Sequence, residues 1–579
     1  MKLKEIKHTK PVFEAAFHKD FRDLINYGAD AYRGDDAFIV KHKLNKKDIS
    51  YEHIKFENFR DHVNYLGTAM LKKGYLGKRI AIIGKNRYEW MLGYFAALCG
   101  IGICVPLDKG LPYDELESSL ARSYADVLIF DKAHLDVVEE LKEKKNTKVS
   151  EYICMDEIEG YDSINHMMLE GRDALEGGFD EYLTLPIDAE GTTIILFTSG
   201  TTSLSKAVQL SQHNITSNVY AMLRTQDFRR GDVNMAFLPY HHTFGSTGQI
   251  VMLASGITTT FCDGLKYLQK NIVEYKVSIF VCVPLLIESI YKKIMQTVKK
   301  EGLEKKVNFG LKVSKLLLRF GIDMRRKLFK QILDQLGGEL RYVISGASAI
   351  DPIALEGFND FGITAVQGYG MTEAAPVISA ENTWERKTGS IGKPLPGVEV
   401  QIDEPNEEGI GELIARGPNV MAGYYENEEE TAKVLQDGWL HTGDLASVDE
   451  DGYIFIRGRK KNVIVLKNGK NVYPEELEIL VSNLPYVEEN MVFGQPRHKD
   501  GDHKDLAICV KIVYKPDYMK EAYGTEDPAE IEAIVKKDID AINEELPIYK
   551  QMLRIIVTDE EMIKTTTGKV KRYEEEKKM

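Results

Sequence analysis

Residues Thr192–Val208 read TTIILFTSGTTSLSKAV, an apolar run followed directly by a loop of glycine, serine and threonine that leads to Lys206. The run is short and rich in β-branched residues, which predicts a buried strand. Backbone N–H groups and hydroxyls in the loop could surround phosphate oxygens, and the Lys206 ammonium would neutralise them. The loop is not the P-loop of NTPases, because that motif has a second glycine immediately before the lysine. The stretch therefore predicts a strand that leads into a phosphate-binding loop, with a plain Ser/Thr turn as the alternative interpretation.

Comparable apolar runs recur along the chain, with amphipathic stretches of helical periodicity between them. This alternation predicts an α/β fold, in which helices cover sheets of short buried strands. The runs that predict strands are Arg79–Gly84, Ala125–Phe130, Thr192–Phe197, Ser278–Val283 and Leu340–Ser345.

The length of the chain predicts more than one domain. It has 579 residues, whereas single hydrophobic cores stop growing near ~250–300 residues. Gly452–Val465, GYIFIRGRKKNVIV, contains two β-type runs on either side of a charged break, and charged segments become more frequent beyond it. We therefore predict an N-terminal domain over residues 1–460 and a C-terminal domain over residues 461–579.

The overall charge and the cysteines exclude several classes of protein. The chain has 75 Lys and Arg against 89 Asp and Glu, and its net charge of −14 argues against a general nucleic-acid-binding surface. The six cysteines form no C-x-x-C pair, so we expect neither a disulfide scaffold nor a zinc site. No apolar stretch approaches the ~20 residues of a membrane span, and the N-terminal residues carry no secretory pattern. These features predict a soluble, cytoplasmic protein.

The stretch Tyr291–Lys330 departs from this composition, with 13 Lys and Arg against 3 Asp and Glu. Apolar residues alternate with these cations, which predicts basic amphipathic helices. Two interpretations are open: a solvated helix face, or a surface that rests weakly on an anionic membrane or on a partner. The apolar residues are Ile294, Val298, Val307, Leu311, Leu316, Leu317, Leu318 and Phe320.

Six further motifs lie downstream of the Thr192–Val208 stretch. In their order and separations they resemble the adenylate-forming superfamily, which comprises acyl-CoA synthetases, luciferases and the adenylation domains of peptide synthetases. The resemblance extends from Tyr51 to Arg572 and implies a large N-terminal domain of several subdomains, with mixed β-sheets and helices, and a small, mobile α+β C-terminal domain. The motifs are Ser345–Ala349 (SGASA), Gln367–Glu373 (QGYGMTE), Gly438–Asp444 (GWLHTGD), Arg457–Lys461 (RGRKK), Lys467–Glu478 (KNGKNVYPEELE) and Lys564–Arg572 (KTTTGKVKR).

The resemblance implies which residues bind the nucleotide. Gly346 and Ala347 correspond to the small residues on one face of the adenine, and Tyr369 would stack on the other face as a large, rigid aromatic ring. Asp444 corresponds to the carboxylate that accepts hydrogen bonds from the ribose hydroxyls, with Arg459 beside it. The full set implied to bind ATP or coenzyme A is Thr198, Ser199, Gly200, Thr201, Thr202, Lys206, Gly346, Ala347, Gln367, Gly368, Tyr369, Gly370, Thr372, Asp444, Arg459 and Gly469.

The resemblance also implies which groups act on the phosphates and on the acid. Glu373 would hold Mg²⁺ with Thr201 as a second ligand, because carboxylate and hydroxyl oxygens suit a hard cation. Lys569 corresponds to a lysine that bridges the acyl carboxylate and the α-phosphate. His242, in PYHHTFG, would lie near the carboxylate or the incoming thiol, whereas His241 is interpreted as a packed structural histidine. The implied catalytic residues are Lys569, Glu373, Thr372, His242 and Lys206.

The implied reaction has two steps and uses ATP, Mg²⁺ and coenzyme A. A carboxylic acid first becomes an acyl-adenylate with release of pyrophosphate. The C-terminal domain then rotates about Lys461 and withdraws Lys569, and Gly469 leaves space for the pantetheine arm of coenzyme A. Gly370 stands where acetate-using relatives have tryptophan, which predicts an open acyl pocket. The basic stretch Tyr291–Lys330 resembles the long-chain fatty acid CoA ligase branch of the acyl-CoA synthetases. Together these features favour a medium- or long-chain fatty acid as the substrate.

Several alternatives stay open. The acid could be an aryl or branched one, and the acceptor could be a separate acyl carrier protein. A luciferase-like oxygenase would carry the same motifs. The presence of Lys206, Glu373, Asp444 and Lys569 disfavours a binding protein on an inactive synthetase scaffold. No nucleic-acid partner is expected.

Overall fold

The computed structural model describes residues 6–43, 48–198, 205–497, 505–564 and 570–578. All five runs that predicted strands contain one, and these strands lie in the two largest sheets. In the described residues, a nine-stranded sheet has the spatial order Lys393–Pro394, Val377–Ala380, Thr364–Gly370, Tyr342–Ser345, Ile279–Cys282, Val233–Ala236, Thr258–Phe261, Asp36–Lys43 and Ile49–Lys55. An eight-stranded sheet has the order Gly423–Tyr424, Lys206–Ser211, Thr192–Thr198, Ile103–Leu107, Arg79–Ile83, Val127–Phe130, Glu151–Cys154 and Asp162–Ser163.

Most neighbouring strands in the middle of both large sheets are parallel, whereas antiparallel pairs occur toward the edges. Parallel strands need crossover helices that bury both faces of the sheet. The uninterrupted apolar sequence of Val127–Phe130 fits this environment, because all four residues are buried. The apolar stretch after Trp90 is likewise buried within the protein, as helix Tyr88–Ala96 followed by strand Ile103–Leu107.

The helices pack on these sheets and on one another. The basic stretch is helical as predicted, within Pro284–Lys300, Glu304–Arg319 and two shorter helices. None of the described helices is long and apolar enough to cross a membrane. The α-helices are Phe21–Ala31, Phe56–Lys72, Tyr88–Ala96, Tyr113–Arg122, Leu135–Lys144, Ile164–Glu176, Gln212–Leu223, Thr243–Ala254, Leu268–Glu274, Pro284–Lys300, Glu304–Arg319, Arg325–Leu328, Lys330–Asp334, Pro352–Asp360, Glu428–Val434, Pro474–Ser482, Pro516–Tyr523, Pro528–Glu545 and Arg572–Glu576.

Three smaller sheets follow in the last third of the chain. The first has the order Glu399–Asp403, Gly411–Arg416, Trp439–Val448 and Leu435–Gln436, with Ile454–Arg459 also paired to Trp439–Val448. Ile464–Val465 pairs with Asn471–Val472. The last described sheet has the order Val487–Pro496, Leu506–Tyr514 and Met552–Thr558.

The C-terminal part has a hydrophobic core of its own. Its members range from Ile464 to Met552 and come from the last sheet and from helices Pro474–Ser482 and Pro528–Glu545. The predicted architecture of a large α/β part followed by a small α+β part is therefore confirmed. The boundary at residue 460 and the mobility of the C-terminal part stay predictions.

Candidate active site

The predicted adenine-binding segments leave the same edge of the nine-stranded sheet. Tyr342–Ser345 and Thr364–Gly370 are parallel neighbours, with Ser345 opposite Gln367. The carboxyl ends of neighbouring parallel strands meet at one edge, which is where α/β proteins commonly bind ligands. Ala347 follows with a φ of +76°, in the left-handed region that residues with side chains rarely adopt and that is enriched at binding sites.

Gly346 lies directly against Phe244, at the start of helix Thr243–Ala254. A Cβ atom at position 346 would lie 2.9 Å from Cζ of Phe244, so a larger residue would have to displace that ring. The predicted reason for a small residue, room for an adenine ring, is thus joined by a second one. Phe244 belongs to the PYHHTFG segment, so it links the candidate nucleotide site to His242, which is predicted to lie near the carboxylate or the thiol.

Gly370 requires a different explanation from the one that the sequence suggested. A Cβ atom there would lie 1.8 Å from the carbonyl oxygen of Pro376, so the close approach of two backbone segments already requires glycine. Tryptophan at this position would distort the strand as well as fill a pocket. The argument from Gly370 to an open acyl pocket therefore finds no support in its surroundings.

Tyr369, Asp444 and Arg459, which the sequence assigned separately to adenine and ribose, are in direct contact. The Tyr369 hydroxyl donates a hydrogen bond to Oδ2 of Asp444, and Nε of Arg459 lies 2.7 Å from Oδ1. Burial, followed by the Asp444 charge, raises the pKa of Tyr369 well above its usual range, which keeps its hydroxyl a donor. Each carboxylate oxygen has two lone pairs, so Asp444 could also accept hydrogen bonds from a ribose diol.

Lys206 and Glu373 lie on either side of Tyr424. The Tyr424 hydroxyl donates to Oε1 of Glu373 at 2.8 Å, and Nζ of Lys206 is 4.7 Å from the centroid of the Tyr424 ring. Nζ of Lys206 also forms an ion pair of 2.6 Å with Glu430. These contacts arise because the short strand of Tyr424 pairs with the strand that begins at Lys206. The cation predicted to neutralise phosphates and the carboxylate predicted to hold Mg²⁺ therefore belong to one cluster.

The donors around Glu373 fit the requirements of Mg²⁺. Glu373 is buried, follows Thr372 in a single 3-10 turn, and has one carboxylate oxygen bonded by the Tyr424 hydroxyl. Carboxylate and hydroxyl oxygens are the ligands that Mg²⁺ prefers, usually together with substrate phosphates. Thr198 lies at the base of the predicted phosphate loop, and its Oγ1 donates a hydrogen bond to the Lys206 carbonyl at 3.3 Å. The predicted residues Ser199, Gly200, Thr201, Thr202 and Lys569 lie outside the described residues.

His242 precedes helix Thr243–Ala254, and its ring lies against that of His241 at a tilt of 50°, with ring centroids 4.2 Å apart. His241 is buried, and Nε2 of its ring lies 3.5 Å from Oδ1 of Asp108. Burial, followed by the neighbouring His242, lowers the pKa of His241 to about 3, so His241 stays neutral at physiological pH. This environment supports the interpretation of His241 as a packed histidine, and leaves His242 as the partly exposed member of the pair.

The predicted hinge, Lys461, and the turn predicted to bind coenzyme A, at Gly469, come shortly after Arg459 in the sequence. Lys461 lies in the short turn after strand Ile454–Arg459. Burial, together with the charges of Arg459 and Arg572, lowers the pKa of Lys461. Gly469 has a φ of +78°, and a Cβ atom there would have no described atom within 4 Å. The conformation of the turn, and not crowding, accounts for glycine at this position in the described structure.

Comparisons with known proteins give this geometry a family. The model of the AMP-binding enzyme family matches residues 29–425, and that of the AMP-binding enzyme C-terminal domain matches residues 461–579. The chain belongs to the AMP-binding enzyme family. Long-chain-fatty-acid–CoA ligase FadD15 of Mycobacterium bovis is 28% identical over 521 residues, which cover 86% of each chain. The prediction that the chain is an acyl-CoA synthetase of the adenylate-forming superfamily is therefore confirmed.

Solved structures share the fold of this AMP-binding enzyme. The anthranilate CoA ligase AuaEII in complex with anthranoyl-AMP has a TM-score of 0.75 at 20% identity, and the match covers 97% of this chain and 98% of that one. ATP-bound MatB from Rhodopseudomonas palustris has a TM-score of 0.72 at 22% identity, with 96% and 98% covered. At these identities the similarity establishes the architecture of the chain.

Nothing in the sequence pattern of this AMP-binding enzyme marks Tyr424, Glu430 or Phe244 as functional residues. Tyr424 lies in a strand of only two residues, which is too short to show a period of two. Phe244 is part of the PYHHTFG segment, where its sequence does not distinguish it from an ordinary apolar core residue. Glu430 is one of three successive glutamates, Glu428–Glu430, that open a helix, a common arrangement at helix N-termini.

Replacing Tyr424 with phenylalanine is expected to weaken the response of this AMP-binding enzyme to Mg²⁺. The change removes the hydrogen bond to Glu373 but keeps the ring beside Lys206. Hydrogen bonds to charged groups contribute about 1.5–3 kcal/mol, so the Mg²⁺ concentration for half-maximal pyrophosphate release should rise roughly 10-fold or more. Tyr425→Phe, which removes a hydroxyl bonded to Arg79 at 2.9 Å, is the control and should titrate like wild type. Identical Mg²⁺ curves for all three proteins would contradict the role given to Tyr424.

Glu381 contacts the backbone of Gln367, one of the predicted nucleotide-binding residues, and its carboxyl leads us to expect a pH dependence of stability. Its carboxylate accepts hydrogen bonds from the backbone N–H groups of Gln367 and Lys387. Burial is the main cause that raises the pKa of Glu381, from 4.5 to about 7. Between these two values the folded chain keeps a proton that the unfolded chain has lost. The contribution to the free energy of unfolding is therefore complete below pH 4.5 and declines through about pH 7, by about 3 kcal/mol in total.

Glu381→Gln tests this dependence because glutamine does not titrate. Thermal unfolding measured between pH 4.5 and pH 8 should show a flatter dependence of Tm on pH for the variant than for the wild-type enzyme. Glu385→Gln, at a partly exposed glutamate paired with Lys393 at 2.9 Å, should keep the wild-type slope. A slope unchanged by Glu381→Gln would show that the buried carboxyl does not titrate in this range.

Proposed function

We propose that this AMP-binding enzyme is an AMP-forming acid–CoA ligase that activates a medium- or long-chain fatty acid. The single observation that carries the nucleotide part is the contact of Tyr369, Asp444 and Arg459, which joins an aromatic face, a ribose-type acceptor and a cation in one site. The proposal for the acid rests on the relatives, which include long-chain-fatty-acid–CoA ligases of bacteria and mammals and long chain acyl-CoA synthetases of a plant.

In the proposed first step, an oxygen of the acid attacks the α-phosphorus of ATP and the bond to the β-phosphate oxygen breaks. The acyl-adenylate forms and pyrophosphate leaves. Lys206 would offset the charge of the pyrophosphate, and Lys569 would offset the approach of the carboxylate to the α-phosphate. When bound, Mg²⁺ would neutralise phosphate charge, and Glu373 with Thr201 would hold it. Positioning and electrostatics supply most of the catalysis in such a reaction.

In the proposed second step, the thiol of coenzyme A gives its proton to solvent and its sulfur attacks the acyl carbonyl. The bond between the acyl carbon and the phosphate oxygen breaks, and AMP leaves. The C-terminal part would first rotate about Lys461, withdraw Lys569 and bring the turn with Gly469 toward the site. Rotation of this kind separates two half-reactions and keeps water from the adenylate. His242, at the start of its helix and partly exposed, would lie near the incoming thiol.

An apolar cavity beside the candidate nucleotide site supports a hydrophobic acid. Its volume is only about 20 Å³, and it is lined mainly by apolar side chains, among them Phe237, Leu238, Phe244 and Val281. Phe244 is also the side chain that contacts Gly346, so the cavity adjoins the predicted adenine position. Small-molecule sites usually enclose about 300–1000 Å³, so any fatty chain would bind here only after side chains such as Phe244 move.

Pyrophosphate release tests the proposal when it is measured over a panel of acids, with and without coenzyme A. The panel should include acetate, hexanoate, dodecanoate, hexadecanoate, benzoate and anthranilate. We expect release with the longer fatty acids and a thioester product only when coenzyme A is present. Preference for an aryl acid would overturn the proposed substrate, and thioester formation on an acyl carrier protein instead of coenzyme A would overturn the proposed acceptor. No pyrophosphate release with any acid would favour an inactive scaffold.

A further inference from the structure

The helix Glu304–Arg319, called the basic helix below, presents apolar side chains to the solvent. Val307 and Ser314 are its buried residues and mark the face that packs on the protein. Phe309 and Leu316 are 68% and 55% exposed, and Phe320, directly after the helix, is 74% exposed. Because so much of their surface is exposed, these three side chains are not part of the hydrophobic core on which the buried face of the helix packs.

These three residues form one ridge. Their spacing of seven and then four residues places Phe309, Leu316 and Phe320 within about 40° of one another around a helix axis. The ridge lies on the side of the basic helix away from Val307 and Ser314. Singly exposed apolar residues are ordinary on protein surfaces, but a contiguous apolar patch marks an interaction site.

Cations without acidic partners flank the ridge. In the part of the chain that the structure describes, no ion pair is formed by Lys305, Lys306, Lys312 or Arg319, all of which are exposed. Lys315, on the edge of the same helix, pairs with Asp360 at 3.1 Å. The stretch Tyr291–Lys330 carries 13 cationic and 3 acidic residues, a net charge of +10, whereas the whole chain carries −14. The positive charge is therefore concentrated around the ridge and remains largely unneutralised.

We propose that the basic helix is a membrane-docking surface, which inserts the ridge of Phe309, Leu316 and Phe320 into an anionic lipid surface. An apolar stripe with Lys and Arg on both sides is the arrangement of helices that lie in the membrane interface. The cations would meet anionic headgroups while the rings reach the boundary of the acyl chains. A charge of −14 would otherwise keep the protein away from such a surface, so the basic helix also sets the orientation. The inference rests on this surface alone and requires neither the proposed acid nor the proposed acceptor.

Vesicle binding without ATP or acid tests the docking surface. We expect the full-length protein to co-sediment with vesicles of phosphatidylcholine and phosphatidylglycerol at low ionic strength and to be released at high ionic strength, since screening shortens the reach of surface charge. Vesicles of phosphatidylcholine alone should bind far less protein. Equal binding to both kinds of vesicle, or no binding to anionic vesicles at low salt, would overturn the proposal.

Two groups of variants separate the contributions of charge and ridge. Changing Lys305, Lys306, Lys312 and Arg319 together to glutamine should weaken binding on the order of 100-fold, and changing Phe309, Leu316 and Phe320 to serine should also remove most of it. Lys536→Gln with Lys537→Gln, on an exposed face of helix Pro528–Glu545, and Leu169→Ser, at a side chain 51% exposed, are matched controls that should bind like wild type. Loss of binding in the controls, or its retention in both groups of variants, would overturn the proposal.

A spectroscopic readout keeps the test independent of folding effects. In Phe320→Trp, anionic vesicles should shift the tryptophan emission to shorter wavelength relative to the same addition to wild-type protein, because the ring leaves water. Pyrophosphate release with a short, soluble acid should be unchanged in all variants, since none of these residues lies in the candidate active site. Vesicle binding without such a shift would show contact by charge alone and would overturn the insertion of the ridge.

Discussion

Replacing Lys569 with alanine is expected to slow acyl-adenylate formation on the order of 10²–10³-fold. The lysine is proposed to offset charge as the acyl carboxylate approaches the α-phosphate, a contact that belongs to the first step only. Thioester formation from a preformed acyl-adenylate and coenzyme A should therefore continue near the wild-type rate. The two half-reactions can be measured separately, by pyrophosphate release and by thioester product.

Lys571→Ala is the matched control for this prediction. It removes a cation two residues away, on the same segment, where Lys571 pairs with Glu574 at 3.3 Å. Both half-reactions should run normally in the control. Equal damage to both half-reactions in Lys569→Ala would mean that the residue supports the fold or the domain movement, and not the attack on the phosphate.

The second large effect is expected from Asp444→Asn. Tyr369 and Arg459 both donate to the Asp444 carboxylate, and an amide offers an acceptor to only one of them while its own N–H groups face the other. The ribose would lose a charged acceptor and the site would lose its arrangement. The KM for ATP should rise roughly 10–100-fold, with a much smaller change in the KM for the acid.

Asp449→Asn provides the control for that experiment. Asp449 lies just after strand Trp439–Val448, which contains Asp444, and accepts hydrogen bonds from the Lys387 ammonium and the Tyr453 backbone N–H. It carries the same charge but is not part of the candidate site. Its replacement should leave the KM for ATP unchanged. An unchanged KM for ATP in Asp444→Asn would contradict the assignment of the ribose position.

The fold was predictable from sequence because its strands are buried on both faces. Runs such as Thr192–Phe197 and Ser278–Val283 are uninterrupted and apolar, and each contains a strand of a large sheet. The alternation of these runs with amphipathic helices then indicates α/β layering without any knowledge of contacts. The motifs added the nucleotide site, and the structure brings Tyr369, Asp444 and Arg459 together as neighbours.

Contacts between distant segments could not be predicted in this way. Tyr424 reaches Glu373 and Lys206 only because a two-residue strand pairs with the edge of the eight-stranded sheet. The surroundings of Gly370 depend on the path of the chain at Pro376, which no periodicity reveals.

The apolar ridge shows a different limit of sequence patterns. Leu316 and Phe320 are two of the apolar residues that predict an amphipathic helix in the basic stretch. Apolar side chains in such a helix would normally face the core. The structure turns them to the solvent because Val307 and Ser314 already supply the packing face of the basic helix. A helix with two apolar faces gives one averaged signal in sequence, and only the packing shows which face is covered.

The ion pair between Lys206 and Glu430 would make the proposed binding of phosphates at Lys206 an exchange of anions. The lysine is already neutralised by a carboxylate 2.6 Å away, so an incoming anion gains only the difference between its own attraction and that of Glu430. A carboxylate or another singly charged competitor gains little from this exchange, whereas a polyphosphate brings several charges to the same ammonium. Once pyrophosphate departs, Glu430 can return to the lysine, so release of the product would not leave the ammonium without a counter-charge.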